Sequence, residues 1–170
     1  MTPRAPDAMA DVFLLSQVNV RAAGDVVARV GRALGAALPV EPNTVATVGA
    51  RTILWLGPDE WLVVDGPAMA AEIEAHARLA FEPDWGSVVD VSANRTVVEL
   101  SGPHAREVLA RGCSLDLHPR RFGPGRCAQT LLANTAVILW QTDNAPTFRI
   151  LVRASFAEHL ARWLADAAFE

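Results

Sequence analysis

Long apolar runs, thiols and clustered basic residues are all scarce in this sequence, and each scarcity removes a class of protein. About half of the 170 residues are hydrophobic, yet the richest stretches, Thr52 to Leu56 and Ala136 to Trp140, are only strand length. No membrane span is expected. Only two cysteines, Cys113 and Cys127, are present, too few for a disulfide framework. Met1 to Met9 carries Pro3, Arg4, Pro6 and Asp7 and no apolar run that would serve as an export signal, so residues 1–10 read as a flexible arm and the expected location is the cytoplasm. With a net charge of −4 and no long basic run, the chain lacks the clustered positive surface that phosphate neutralisation needs, so nucleic acid is not an expected partner. One local exception is the set Arg111, His118, Arg120, Arg121 and Arg126, read either as a solvated loop or as a docking patch for an acidic neighbour.

The length allows one domain with a real core, placed at residues 11–170. A strand candidate opens it, with Leu14, Val18 and Val20 on one side and Gln17, Asn19 and Arg21 on the other. A helix follows, with Asp25 at the N-cap position and Val26, Val30, Leu34 and Leu38 forming one apolar face. Gly31 and Gly35 fall inside that pattern, where each costs about 1 kcal/mol relative to Ala, so close approach of another backbone is the expected reason. Strands are expected at 45–48, 52–56 and 61–64, with Gly57, Pro58 and Asp59 turning between the last two. A helix over 67–79 closes the unit.

After a strand at 88–91 the order begins again. A strand at 96–100 leads through Ser101, Gly102 and Pro103 into a short helix that Gly112 ends. An irregular stretch rich in Pro and Arg precedes strands at 127–132, 136–141 and 148–152. Ser155 then caps a last helix striped by Phe156, Leu160, Trp163 and Leu164. A shift of about 85 positions lays Leu15-Ser16 on Leu100-Ser101 and Ile53-Leu54-Trp55 on Ile138-Leu139-Trp140. The fold class is therefore α+β: two ferredoxin-like (split βαβ) halves, about 11–92 and 93–170, forming one pseudo-duplicated domain.

Chemistry is thinly represented. His104, Cys113, His118 and Cys127 are zinc-ligand types, but no Cys-x-x-Cys or His-x-x-x-His clasp pre-sets half a tetrahedral site, and buried apolar cysteines are the simpler reading. The same residues would supply a Cys and His nucleophilic pair only if the fold joined them. No G-x-G-x-x-G follows a strand, and Gly123-Pro124-Gly125 is not followed by a helix, so no phosphate cradle is expected. Asp59 and Glu60 are adjacent, but neighbours on a strand point to opposite faces and do not share a substrate, so they read as turn residues. Of the five tryptophans, Trp55, Trp61 and Trp140 read as core, while Trp85 and Trp163 are the expected partner-facing pair.

Three stretches carry a family resemblance: Leu56-Gly57-Pro58-Asp59-Glu60-Trp61-Leu62, Asp90-Val91-Ser92-Ala93-Asn94-Arg95-Thr96 with its continuation through Leu100-Ser101-Gly102-Pro103 to Leu115-Asp116-Leu117-His118-Pro119, and Ser155-Phe156-Ala157. Together they resemble the gamma subunit of heterotetrameric sarcosine oxidase. The resemblance implies a fold similar to the folate-binding aminomethyltransferases, and an assembly with alpha, beta and delta subunits. That assembly oxidises sarcosine and yields hydrogen peroxide with formaldehyde or 5,10-methylenetetrahydrofolate. It also implies that this chain binds no cofactor, with FAD, FMN, NAD, tetrahydrofolate and zinc on other subunits.

Against the aminomethyltransferases, this sequence departs at one place. Those enzymes carry an aspartate after a Gly-rich turn, whereas the matching place here is Asn134-Thr135-Ala136-Val137-Ile138-Leu139-Trp140, without a carboxylate. An apolar strand does not stabilise a cationic carbon-transfer intermediate. Arg126-Cys127-Ala128-Gln129 likewise fails to reproduce the Lys-Gly-Cys-Tyr context of the folate-binding iron–sulfur maintenance proteins. The expectation is a non-catalytic structural subunit with no catalytic, cofactor or metal residue. Its rivals are a stand-alone folate-dependent one-carbon transferase and a small-molecule regulatory domain.

Overall fold

The computed structural model describes residues 9–169, and side chains over 14–168. Ten strands and four α-helices follow in chain order: β1 Met9–Phe13, β2 Ser16–Arg21, α1 Asp25–Leu34, β3 Val45–Val48, β4 Arg51–Gly57, β5 Glu60–Asp65, α2 Ala70–Phe81, β6 Ser87–Asp90, β7 Arg95–Ser101, α3 Ala105–Ala110, β8 Cys127–Leu132, β9 Thr135–Gln141, β10 Thr147–Arg153 and α4 Ala157–Phe169. They form two five-stranded sheets, ordered β3-β4-β5-β2-β6 and β8-β9-β10-β7-β1, and every pairing is antiparallel. The sheets belong to two compact units, one of Leu14–Ala93 and the other of β1 with the chain from Asn94 onward.

The division is a correction to the boundaries expected from sequence. Residues 1–8 of the expected arm lie outside the described residues, but Met9 and Ala10 open β1, which pairs with β7 from Met9↔Ser101 to Phe13↔Val97. The first half does not begin its own sheet at residue 11. Each repeat gives its first strand to the other: β1 precedes β2 yet lies beside β7, while β6 precedes β7 yet lies beside β2. Backbone hydrogen bonding, which carries no side-chain signature, decides this exchange.

In the Leu14–Ala93 unit, one sheet face is covered by α1 and α2. Val18, Val20, Ile53, Trp61 and Val63 meet Val26, Val30, Leu34, Ile73 and Phe81 there. Gly24 rather than Asp25 occupies the N-cap position, which puts Asp25 in the first turn where its charge suits the helix dipole. Gly35 ends α1 in the left-handed conformation at φ 84°, so it lies past the helix and not within it. Gly31 does serve a close approach, because a Cβ there would meet the Ala36 carbonyl oxygen at 3.0 Å and the Leu38 nitrogen at 3.2 Å. Leu38 accordingly reaches the core from this returning chain rather than from a fourth helical turn. Leu14 is 78% exposed ahead of β2, and Gln17 is fully buried on the face opposite Val18, so the alternation is right and its polar side is not a solvent side.

The second unit repeats the plan, with Val98, Leu100, Val137, Leu139, Phe148 and Ile150 packed under Leu109, Leu160 and Leu164. Phe156 departs from the expected stripe: it is 46% exposed in a short 3-10 turn over 154–156, and α4 starts one residue later without a side-chain cap from Ser155. The repeat also holds at element level and not at the shift that sequence suggests. Ile53 and Val63 face each other across one hairpin as Val137 and Val152 do across the other, each pair in its helix-covered core. Ile53 thus lies on the helix-covered face whereas Ile138 is buried on the opposite one, and a one-residue slip moves a strand side chain to the other face. Leu100, at the end of β7, has no counterpart in Leu15, which precedes β2. Among the described residues no helix is long and apolar enough to cross a membrane.

Candidate partner interface

The stretch between α3 and β8 is irregular but tied down. Asp116 accepts the His118 N–H at 3.0 Å, the His118 carbonyl accepts the Arg121 and Phe122 N–H groups at 2.8 and 2.9 Å, and its ring Nδ1 accepts the Arg120 N–H at 3.2 Å. Leu117 and Phe122 are buried in the core below. Arg106 holds both ends of the segment from α3: Nη1 donates to the Leu117 carbonyl at 2.5 Å and the Phe122 carbonyl at 2.9 Å, and Nη2 donates to Gln141 Oε1 at 2.7 Å. Its guanidinium also lies 5.1 Å from the centre of the Phe148 ring, which stacks on Phe122. Burial pulls the Arg106 pKa below the usual arginine value.

The basic residues singled out from sequence are therefore divided. His118 organises the turn, Arg120 and Arg121 extend from it into solvent, and Arg126 is half-buried at the end of the turn that leads directly into β8. Arg111 instead lines a separate polar pocket of about 450 Å³ with Ser114, Asn134 and Trp163. The two sets sit by different ends of β8 and β9, since Gly112 bonds to Ala133 at the hairpin turn while Gly125 and Arg126 bond to Gln141 at the far end. Trp163 is half-buried, its ring laid so close to Gly112 that a Cβ there would come within 2.5 Å of it.

Trp85 is 95% exposed on the loop after α2. That loop is held in place: Arg29 donates to the Ala80 carbonyl at 2.9 Å and to the Asp84 carboxylate at 2.5 Å, and Gly86 leaves room for the Phe81 ring, which a Cβ would meet at 2.1 Å. Neither Arg29 nor Arg106 stood out in sequence. An arginine on a helix reads as solvated surface unless the loop carbonyls it reaches are known.

The candidate chemistries are not assembled. Cys113 bridges to Leu132 at one end of β8, while Cys127 pairs with Trp140 at the other, about 17 Å away at strand rise. Both thiols are buried, and the described residues contain no cluster of three or more metal-ligand side chains. On β9, Val137 and Leu139 enter the helix-covered core, and Ile138 and Trp140 are buried on the opposite face. Residues of this kind do not fit a folate amine, which needs a charged or hydrogen-bonding partner.

Comparison with solved structures defines the class first. The aminomethyltransferase T of the glycine cleavage system from Bartonella henselae shares the fold over 94% of this chain and 46% of its own, with a TM-score of 0.67 at 15% identity. The chain thus has the pseudo-duplicated α+β fold seen in an aminomethyltransferase. A chain of the heterotetrameric sarcosine oxidase from Corynebacterium sp. U-96, solved with pyrrole 2-carboxylate, matches more fully: TM-score 0.88, 36% identity, 97% of this chain and 86% of that one. The sarcosine oxidase subunit gamma of Corynebacterium sp. (strain P-1) is 45% identical over 165 residues, 94% of this chain and 79% of the relative. An Arthrobacter subunit gamma is 44% identical over the same length. Residues 11–170 match the sarcosine oxidase, gamma subunit family, and the chain belongs to it.

Proposed function

We propose that this chain is the non-catalytic, structural gamma subunit of a heterotetrameric sarcosine oxidase, working in the cytoplasm with alpha, beta and delta subunits. The assembly demethylates sarcosine oxidatively to glycine, giving hydrogen peroxide with formaldehyde or 5,10-methylenetetrahydrofolate. FAD, FMN, NAD, tetrahydrofolate and zinc belong to the other subunits. The observation that carries this reading is the likeness to a chain of a solved heterotetramer along nearly the whole length, at 97% coverage and a TM-score of 0.88. The buried apolar strand β9 supports the non-catalytic part, since electrostatic stabilisation of a reacting cation needs a polar group at that place.

The subunit acts by contact. Trp85 is one anchor for a partner, because a large aromatic held outward on a constrained loop loses little freedom on docking. Trp163 with Arg111, and the loop bearing His118, Arg120, Arg121 and Arg126, are further contact points. Co-expression with the other three subunits tests the proposal. The chain is expected to copurify in fixed ratio, and alone to bind neither flavin nor folate and leave sarcosine unchanged; turnover by the isolated chain would refute it.

A further inference from the structure

We infer that the loop pinned by Arg106 docks on an acidic surface of a partner subunit, with Arg120 and Arg121 as the docking charges and Arg106 as the residue that positions them. The inference rests on the subunit reading above and adds the place of one contact and the chemistry opposite it.

Charge is the first argument. Residues 106–126 hold five arginines against two carboxylates, in a chain whose net charge is −4. Both carboxylates are engaged locally, Glu107 with the His104 ring at 2.9 Å and Asp116 with the His118 N–H. Most exposed or half-exposed arginines elsewhere have a carboxylate in reach: Arg21 has Glu60, Arg29 has Asp84, Arg78 has Glu74 and Arg162 has Glu158. Arg120 and Arg121 are adjacent, exposed, and their guanidinium groups make no hydrogen bond or ion pair with any described residue. Arg32 and Arg153 share that condition singly, not as a pair.

Preorganisation is the second. The chain on either side of the two arginines is fastened by the buried Leu117 and Phe122 and by the three Arg106 hydrogen bonds, so the backbone that presents them is already ordered before docking. Ordering costs on binding fall accordingly. A polyanion is the poorer occupant, since two free charges on a net acidic chain release few counterions, whereas complementary carboxylates on a protein suit paired guanidinium forks.

The test uses the whole assembly, held on a resin through a tag on another subunit and washed with rising salt. Arg120→Glu/Arg121→Glu is expected to weaken retention of this chain by roughly tenfold at low salt and to move its release to lower salt. Arg106→Lys keeps a charge but cannot span three acceptors, and its release falls between those of the wild type and the double variant. Arg32→Glu, on the other unit, releases with the wild type. A double variant that melts like the wild type yet releases at the same salt overturns the inference, and an Arg106→Lys chain indistinguishable from wild type overturns the positioning role. If charge reversal prevents folding, Arg120→Gln/Arg121→Gln decides in its place by the same shift. Loss of the wild-type chain from the resin at every salt would instead sink the subunit reading itself.

Discussion

Several single residues here are fixed by what a neighbour needs. Gly112 yields its Cβ space to the Trp163 ring, so Gly112→Ala should cost about 1–3 kcal/mol by forcing that ring off its seat, read as a lowered urea midpoint. Ala133 and Asn134 make the two-residue turn between β8 and β9 with φ of 49° and 61°, the left-handed geometry of a type I′ turn. Ala is strained there and Asn is not, so Ala133→Asn is expected to stabilise the chain by roughly 0.5–1 kcal/mol. Ser92 donates its hydroxyl at 2.5 Å and its N–H at 2.8 Å to Asp90, and these bonds hold the Asp90 pKa below the usual carboxylate range. A depressed folded pKa stabilises above the unfolded value of about 4 and is lost as acid protonates the group. The stability gap between wild type and Ser92→Ala should therefore narrow below about pH 4. It should not close, because Ser92 also accepts the Gln17 N–H at 2.9 Å.

Elements show where local signals were sufficient. Hairpin β4–β5 turns at Gly57, Pro58 and Asp59 as the residues demand, with a bulge between Trp55 and Gly57. Helix α1 stops at Leu34 because Gly35 takes the left-handed cap, and the Leu34 carbonyl accepts from Arg51, itself paired with the buried Asp65 at 2.9 Å. Such ties between a helix end and a strand are invisible to periodicity, since the arginine lies 17 residues away. Strand β1 is the element least legible in sequence. Deleting residues 1–13 should leave β7 as a bare edge, lower the melting temperature and speed amide exchange along 95–101 first, while amides of β2 and β5 keep their protection.

At the scale of the molecule, the exchange of first strands makes the repeats mutually dependent. Fragments 1–93 and 94–170, expressed together, are expected to copurify because β1 on the first completes the sheet of the second. Removing residues 1–13 from the first fragment should weaken that pairing severalfold, measured by the fraction retained on a tag. A single tagged 94–170 fragment, lacking β1, should be the less stable of the two. The charge arrangement belongs to this scale too: in a net acidic chain, the adjacent and exposed Arg120 and Arg121 set a local positive charge at one loop, apart from Arg111 in its pocket.

The sequence by itself determined the order of elements, the apolar face of α1, the inward Val18, Val20, Leu160 and Leu164, the doubling of the plan, the family and the want of a carboxylate on β9. These follow from periodicity, turn chemistry and residue identity, which act over a few neighbours in the chain. Only the tertiary structure decided that β1 lies beside β7, that Gln17 is buried and Phe156 is not, that the basic residues separate into a loop and a pocket, and that Arg106 and Arg29 fasten the loops they serve. Strand pairing and loop anchoring run through backbone carbonyls and amides, which every residue carries alike, so the choice among partners is made by packing across the chain and leaves no local mark.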